Sequence, residues 1–212
     1  MKKIFECLLI ICFGVSFSSI DLEEKNNVIY IDPGHGGMDG GCESKSGEKE
    51  KDINLEIALK LRNELEMLGF IVQMTRSGDY DLASDPDNRK RSDILKRCEL
   101  MDGSLLYISI HVNEYSDKSV RGAQVFYGND NKEFAEFIQK SLCEILNNTN
   151  RKALRAENKY LLGNIKSTGC LVEVGFISND IELALLKTEN YQEKICKAIT
   201  YGILEYLSNK EK

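Results

Sequence analysis

The chain contains only two histidines, so any imidazole chemistry must use His35, His111 or both. His35 lies in the glycine-rich segment Asp-Pro-Gly-His-Gly-Gly, and His111 follows the apolar run Leu-Leu-Tyr-Ile-Ser-Ile. Either residue alone is explained equally well as an ordinary loop or strand-end histidine. Two neutral imidazoles with one carboxylate, however, are a common ligand set of a catalytic zinc ion, which keeps its fourth position for water. The pair therefore predicts a zinc site that activates water, provided that a carboxylate completes it.

The acidic segment Gly-Glu-Lys-Glu-Lys-Asp, residues 47–52, is the candidate source of this carboxylate. It directly precedes a helical pattern, and carboxylates at a helix N-terminus are favourable without any metal. Helix capping or compensation of the helix dipole therefore explains the segment as well. Spacing alone does not choose among Glu48, Glu50 and Asp52.

A further carboxylate, Glu173, interrupts the apolar run Leu-Val-Glu-Val-Gly-Phe. A buried carboxylate is costly unless it is paired, bound to metal or protonated, and such groups cluster at active sites. The alternative is a strand with one face in water, on which Glu173 points to solvent. We take Glu173 as a candidate catalytic residue.

Apolar strands and amphipathic helices alternate along the chain and would position these residues. Short apolar runs predict strands, and apolar residues at three- and four-residue steps predict helices. The predicted strands are 28–31, 70–75, 105–111, 123–127 and 171–176, the predicted helices are 51–68, 93–101, 132–146 and one through 195–207, and residues 76–92 are predicted as an exposed loop. The alternation indicates an α/β domain with a largely parallel, buried sheet, in which sites form where strands end.

Composition indicates one folded domain. The chain has 212 residues, of which 42% are hydrophobic, so it can bury one core and is too apolar for intrinsic disorder. Its net charge of −6 argues against a surface that binds nucleic acid or anionic membranes.

The first 20 residues resemble an export signal. Two lysines follow the initial methionine, the stretch 4–20 has Glu6 as its single charge, and Ser-Phe-Ser at 16–18 is a small-x-small triplet. This pattern is typical of a secretory signal peptide, with an uncleaved N-terminal anchor as the alternative. We therefore expect a signal or anchor at 1–20, a polar lead at 21–27 and a catalytic domain at 28–208. Export across the cytoplasmic membrane follows, with any membrane contact limited to the N-terminal segment.

Five cysteines remain beyond this segment, and their number is odd. They have irregular spacing without any Cys-x-x-Cys pair, which argues against a zinc ribbon or a disulfide framework. We expect free thiols, buried where the surroundings are apolar. The five are Cys42, Cys98, Cys143, Cys170 and Cys196.

Four motifs occur in an order that resembles the zinc-dependent N-acetylmuramoyl-L-alanine amidases. They are Asp-Pro-Gly-His-Gly-Gly-Met-Asp-Gly at 32–40, Glu-Lys-Asp at 50–52, Ser-Ile-His-Val-Asn at 109–113 and Leu-Val-Glu-Val-Gly-Phe-Ile-Ser-Asn at 171–179. Each motif is weak, but the ordered set is specific and covers nearly the whole chain after residue 27. The compact form is most similar to the sporulation and germination members of the CwlD type.

This resemblance implies zinc ligands at His35, Glu50 and His111, with Glu173 as the catalytic carboxylate. It also implies a twisted sheet flanked by helices. The implied reaction is hydrolysis of the amide bond between N-acetylmuramic acid and L-alanine of the peptidoglycan stem peptide. The resemblance also implies that this step precedes formation of the muramic δ-lactam in the spore cortex.

Some functional details have alternatives. Asn113 is a candidate for orienting a ligand or substrate, and the alternative is a simple turn residue. Arg76 is a candidate for binding a stem-peptide carboxylate, and the alternative is a salt bridge to Asp79 or Asp81. Only three protein ligands would hold the zinc, so an activating protein partner is a further hypothesis. There are two competing functions: cleavage within the stem peptide, and binding of peptidoglycan without turnover.

Overall fold

The computed structural model describes residues 25–156 and 159–210. Its strands are Val28–Pro33 (β1), Ile71–Met74 (β2), Leu106–Asn113 (β3), Gln124–Tyr127 (β4), Leu154–Arg155 (β5) and Thr168–Phe176 (β6). Its helices are Glu50–Met67 (α1), Arg89–Met101 (α2), Lys132–Leu146 (α3), Tyr160–Asn164 (α4), Asp180–Leu186 (α5) and Glu189–Lys210 (α6). The predicted signal or anchor at 1–20 lies outside the described residues and stays a prediction.

The six strands form one sheet in the order β2-β1-β3-β6-β4-β5. The pairs β1–β2, β1–β3, β3–β6 and β4–β5 are parallel, and β4 is antiparallel to β6. The predicted α/β domain with a largely parallel sheet is thereby confirmed. In the register of β3 and β6, His111 lies opposite Glu173. The carboxyl ends of β1, β3 and β6 therefore meet at one edge of the sheet.

Helices cover both faces of the sheet, which explains why the central strands are continuously apolar. Ile29 and Ile31 of β1 belong to the larger core cluster, which includes Ile57 and Leu61 of α1. The alternate residues of β1 face a second cluster that contains Cys98 and Met101 of α2. Helix α6 packs against α1 and α3. Within residues 25–156 and 159–210, no helix has the length and apolar character needed to cross a membrane.

The boundaries differ from the predicted ones at a few places. Helix α2 begins at Arg89, four residues before the predicted start. The prediction missed this first turn because its sequence, Arg-Lys-Arg-Ser, shows no apolar periodicity. The loop predicted for 76–92 is correspondingly shorter. The elements β5, α4 and α5 were not predicted, since segments of two to seven residues are too short to show a pattern.

The five cysteines within the described residues are all free. Cys98, Cys170 and Cys196 are buried, whereas Cys42 and Cys143 are half-buried. The prediction of free thiols is confirmed. The apolar surroundings of Cys143 also predicted a buried thiol, which is wrong, because Cys143 lies on a partly exposed side of α3.

Candidate active site

His35, Glu50 and His111 converge at the carboxyl edge of the sheet. His35 follows β1, Glu50 is the first residue of α1, and His111 is in β3. Glu50 Oε2 lies 3.2 Å from His35 Nε2, and Glu50 Oε1 lies 2.9 Å from His111 Nδ1. One ligand atom from each residue lies within 4.8 Å of the other two, so the three could hold a metal ion.

The structure also distinguishes Glu50 from the two other acidic candidates. Glu50 is 2% exposed and receives backbone hydrogen bonds from Cys42 (2.9 Å) and Val112 (3.1 Å). Glu48 instead pairs with Lys187, and Asp52 is exposed on α1. Glu50 is therefore the carboxylate that spacing alone could not select.

Two glycines allow the backbone to approach these side chains closely. A Cβ atom on Gly34 would lie 2.2 Å from His111 Cε1, and one on Gly41 would lie 2.5 Å from Glu50 Oε2. Gly41 also has a φ of +68°, which favours glycine. The glycine-rich motif around His35 thus makes room for the cluster.

His35 itself has a φ of +61°, an uncommon conformation for a residue with a side chain. Its Nδ1 lies 2.9 Å from Asp39 Oδ2, which leaves Nε2 directed at Glu50. Burial acts to lower the pKa of His35, but its hydrogen bonds with Glu50 and Asp39 outweigh burial and raise that pKa. Burial acts to raise the pKa of Glu50, yet hydrogen bonds from His111 and His35 hold it far below its usual range. Glu50 is therefore ionised, as a metal ligand must be.

Two buried arginines fix the carbonyl groups of the His35 loop. Arg97 donates to the carbonyls of Pro33 (2.8 Å) and His35 (2.6 Å). Arg76 donates to the carbonyls of Pro33 and Gly34, both at 2.9 Å. These hydrogen bonds offset the energetic cost of the positive φ angle at His35.

This placement corrects the prediction for Arg76. The residue is 1% exposed and donates to backbone carbonyls, so it does not meet a substrate carboxylate. The alternative holds only in a weaker form: the charge of Asp79 acts on Arg76, but among the described residues Asp79 makes its close ion pair with Lys51 and Asp81 with Arg89. The loop after β2 folds back over the end of β1, which a local sequence pattern does not show.

Asp32, in β1, stabilises the same region through hydrogen bonds. Its carboxylate accepts hydrogen bonds from Thr75 Oγ1 and Ser109 Oγ, both at 2.6 Å, and from Arg97 at 2.7 Å. Burial acts to raise the pKa of Asp32, but the charge of Arg97 and the two hydroxyls outweigh burial and lower it. The network joins β1, β3, α2 and the residue that follows β2 under the His35 loop.

We predict that Asp32→Ala lowers the free energy of unfolding by about 3 kcal/mol, because a buried ion pair is broken and Arg97 keeps only Asp93 as a carboxylate partner. Since the pKa of Asp32 is lowered on folding, its contribution is present above pH ~4 and is lost as the pH falls through the native value. Urea unfolding of wild type and variant from pH 7 to pH 3 measures both effects. Glu99→Gln, on an exposed residue of α2, is the control and should cost at most about 1 kcal/mol. A variant as stable as the wild type at pH 7 would contradict this role of Asp32.

Glu173 lies within β6 and is 5% exposed, so the interpretation that it points to water is wrong. Lys159 Nζ lies 3.2 Å from its Oε1. Its Oε2 is buried and has no hydrogen-bond partner in the described part of the chain. A buried carboxylate oxygen without a partner is expensive, and this is the position from which a proton can be accepted.

A cleft of about 440 Å³ connects these groups. His35, Glu50, His111 and Glu173 all line it, as does Asn113 at the end of β3. Asn113 Oδ1 accepts a hydrogen bond from the Glu114 backbone, as a turn residue does. The structure thus places Asn113 beside the cluster and also in a local turn, compatible with both interpretations.

Sequence reasoning missed Asp39, Arg97 and Lys159. Asp39 is inside the quoted glycine-rich motif, and its spacing of four residues from His35 was an available signal. Arg97 appeared as an ordinary helix residue. Lys159 falls in a stretch without a clear pattern, so no sequence signal could have found it.

The fold and this site define an α/β protein with a candidate metal centre at the carboxyl ends of parallel strands. The family described as N-acetylmuramoyl-L-alanine amidase (Amidase_3) matches residues 29–205. The chain belongs to this family of enzymes.

Individual relatives agree with this assignment. The chain is 40% identical to the germination-specific N-acetylmuramoyl-L-alanine amidase of Bacillus subtilis, over 96% of this chain and 92% of the relative. It is 32% identical to a probable cell wall amidase LytH of Staphylococcus saprophyticus, over 87% of this chain but 60% of that longer relative. Among solved structures, it is similar to the CwlD amidase of Clostridioides difficile in complex with the GerS lipoprotein. That match has a TM-score of 0.82 and 37% identity, and it covers 86% of this chain and 99% of that one.

Proposed function

We propose that this chain is a zinc-dependent amidase that removes stem peptides from the muramic acid of spore-cortex peptidoglycan. The bond cut joins the lactyl group of N-acetylmuramic acid to L-alanine. The observation that carries the metal-dependent part is the convergence of His35, Glu50 and His111 within 4.8 Å in the active-site cleft.

The donor set fits zinc. Two imidazoles with one carboxylate suit Zn²⁺ better than Mg²⁺ or Ca²⁺, which prefer oxygen ligands throughout. The contact between His35 Nδ1 and Asp39 is the carboxylate–histidine arrangement that orients metal ligands. When bound, Zn²⁺ supplies Lewis acidity, which polarises a carbonyl group and makes water easier to deprotonate.

Residues of the chain carry out the proton transfer and contact the substrate. Glu173 accepts a proton from the attacking water at Oε2 and returns it to the amine of L-alanine as the C–N bond breaks. His35 and His111 are occupied as ligands, so no imidazole is left to act as the general base. Asn113, at the rim of the cleft, is positioned to contact the substrate.

The cortex role is supported by the similarity to the germination-specific amidase of Bacillus subtilis. Action on peptidoglycan requires export, and we propose that residues 1–20 direct it as a signal peptide or as an anchor. The solved relative from Clostridioides difficile is in complex with a lipoprotein. We propose that this chain also works with a protein partner that supports zinc binding. Full zinc occupancy and activity in the pure chain would contradict that part.

Product analysis tests the reaction. Cortex and vegetative peptidoglycan are incubated with the protein and zinc, and the soluble fragments are analysed by mass spectrometry. We expect peptides that begin with L-alanine, together with muramic acid that has lost its peptide, and more of both from cortex. Chelation with EDTA should stop release, and added zinc should restore it.

Other products would contradict the proposal. Peptides that lack L-alanine at their N-terminus would indicate cleavage within the stem peptide. Binding of peptidoglycan by zinc-loaded protein without released peptide would indicate a module without turnover.

A further inference from the structure

Among the described residues, Lys159 donates the one side-chain hydrogen bond that the carboxylate of Glu173 accepts. Its Nζ lies 3.2 Å from Oε1, with 37% of the lysine side chain exposed against 6% of the glutamate side chain. Both residues line the active-site cleft. The lysine thus reaches a buried carboxylate from the solvent side.

A second contact restrains the ammonium group. Lys159 Nζ lies 5.2 Å from the centre of the Phe126 ring, a distance suited to a cation–π interaction. Phe126 is in β4 and pairs with Leu171 of β6, two residues before Glu173. The ammonium group therefore contacts two neighbouring strands at once.

The Lys159 backbone is fixed as well. Its N–H donates to the Ala156 carbonyl (3.1 Å), and its carbonyl accepts from the N–H of Leu162 (3.0 Å) at the start of α4. A side chain that begins from an anchored backbone and ends between a ring and a carboxylate has little freedom. It can therefore hold its partner in one orientation.

We propose that Lys159 is a positioning residue for Glu173, which compensates its buried charge and binds Oε1 so that Oε2 is left to exchange the proton. This rests on the proposed function, in which Glu173 is the general base. The two carboxylate oxygens then have different tasks. The asymmetry in the structure, one oxygen bound and the other without a partner, is what this division requires.

Lys159→Met removes the charge and retains the length of the side chain. We expect kcat for peptide release to fall about 10- to 100-fold, since small misplacement of a reacting group has effects of that size. KM and zinc content should stay close to wild type. Lys159→Arg should restore most of the activity, because a guanidinium also binds a carboxylate and contacts an aromatic ring. Lys166→Met, on an exposed lysine close after α4, is the matched control and should behave as wild type.

A double-mutant cycle separates positioning from other effects. If Lys159 acts through Glu173, Lys159→Met should have no further effect in a Glu173→Gln background. Additive losses, an unchanged kcat, a rise in KM alone, or no recovery with arginine would each overturn the proposal.

A crystal structure of Lys159→Met gives a result that does not depend on activity. We expect the Glu173 carboxylate to be rotated or spread over several orientations, and a carboxylate in the wild-type position would overturn the proposal. A wild type that releases no peptide even when added zinc fills the site would instead count against the proposed function. The two failures are therefore distinguishable.

Discussion

Replacing Glu173 with glutamine should lower kcat for peptide release by about 10²–10⁴-fold, the usual contribution of a general acid–base group. Glutamine retains the size of the side chain but cannot take a proton from water. Because His35 and His111 are occupied with Glu50, no other group at the cluster can take over this task. Bound zinc should remain, since Glu173 is not one of the three clustered residues.

The measurement combines peptide release with zinc content by mass spectrometry. Glu114→Gln, an exposed carboxylate next to Asn113, is a suitable control and should retain activity. A Glu173→Gln variant with wild-type kcat would refute the assigned role. A variant that loses both zinc and activity would also refute it, because Glu173 would then act in metal binding.

The fold was predictable where the sequence pattern is local and strong. Helix α3 spans 132–146 as predicted, because its apolar residues recur regularly on one face. Strand β6 was recognised from its apolar core, although it begins three residues earlier, at Thr168. His35, His111 and Glu173 were expected together because parallel strands place their carboxyl ends on the same edge.

Contacts between distant segments were not predictable. Arg76 and Arg97 look like surface residues in the sequence, yet both are buried because they bind carbonyls of the His35 loop. Glu50 was identified by resemblance, and its physical distinction from Glu48 is visible only when α1 is packed against β3. Charged side chains have no periodic signal, so their partners depend on the tertiary arrangement.

Zinc binding should depend on Glu50 more than on any other carboxylate of the acidic segment. Glu50→Gln removes the negative charge between the two imidazoles and retains the size of the side chain, and its one amide oxygen can still accept one of the two backbone hydrogen bonds, from Cys42 or from Val112. We therefore expect a folded protein whose zinc affinity falls by more than about 100-fold, beyond the usual effect of losing an outer-shell partner. Peptide release should fall in proportion and recover partly at high zinc concentration.

Competition with a chromophoric chelator measures the affinity, and thermal unfolding in EDTA checks that the metal-free fold persists. Glu48→Gln and Asp52→Asn are matched controls from the same segment, because one pairs with Lys187 and the other is exposed. Both should bind zinc as the wild type does. If one of these two variants loses zinc while Glu50→Gln retains it, the residue changed in that variant is the ligand. Helix α1 must then begin differently when metal is bound. Glu50 is preferred because it alone in this segment is buried between both imidazoles, where an ionised carboxylate is stabilised by a bound cation.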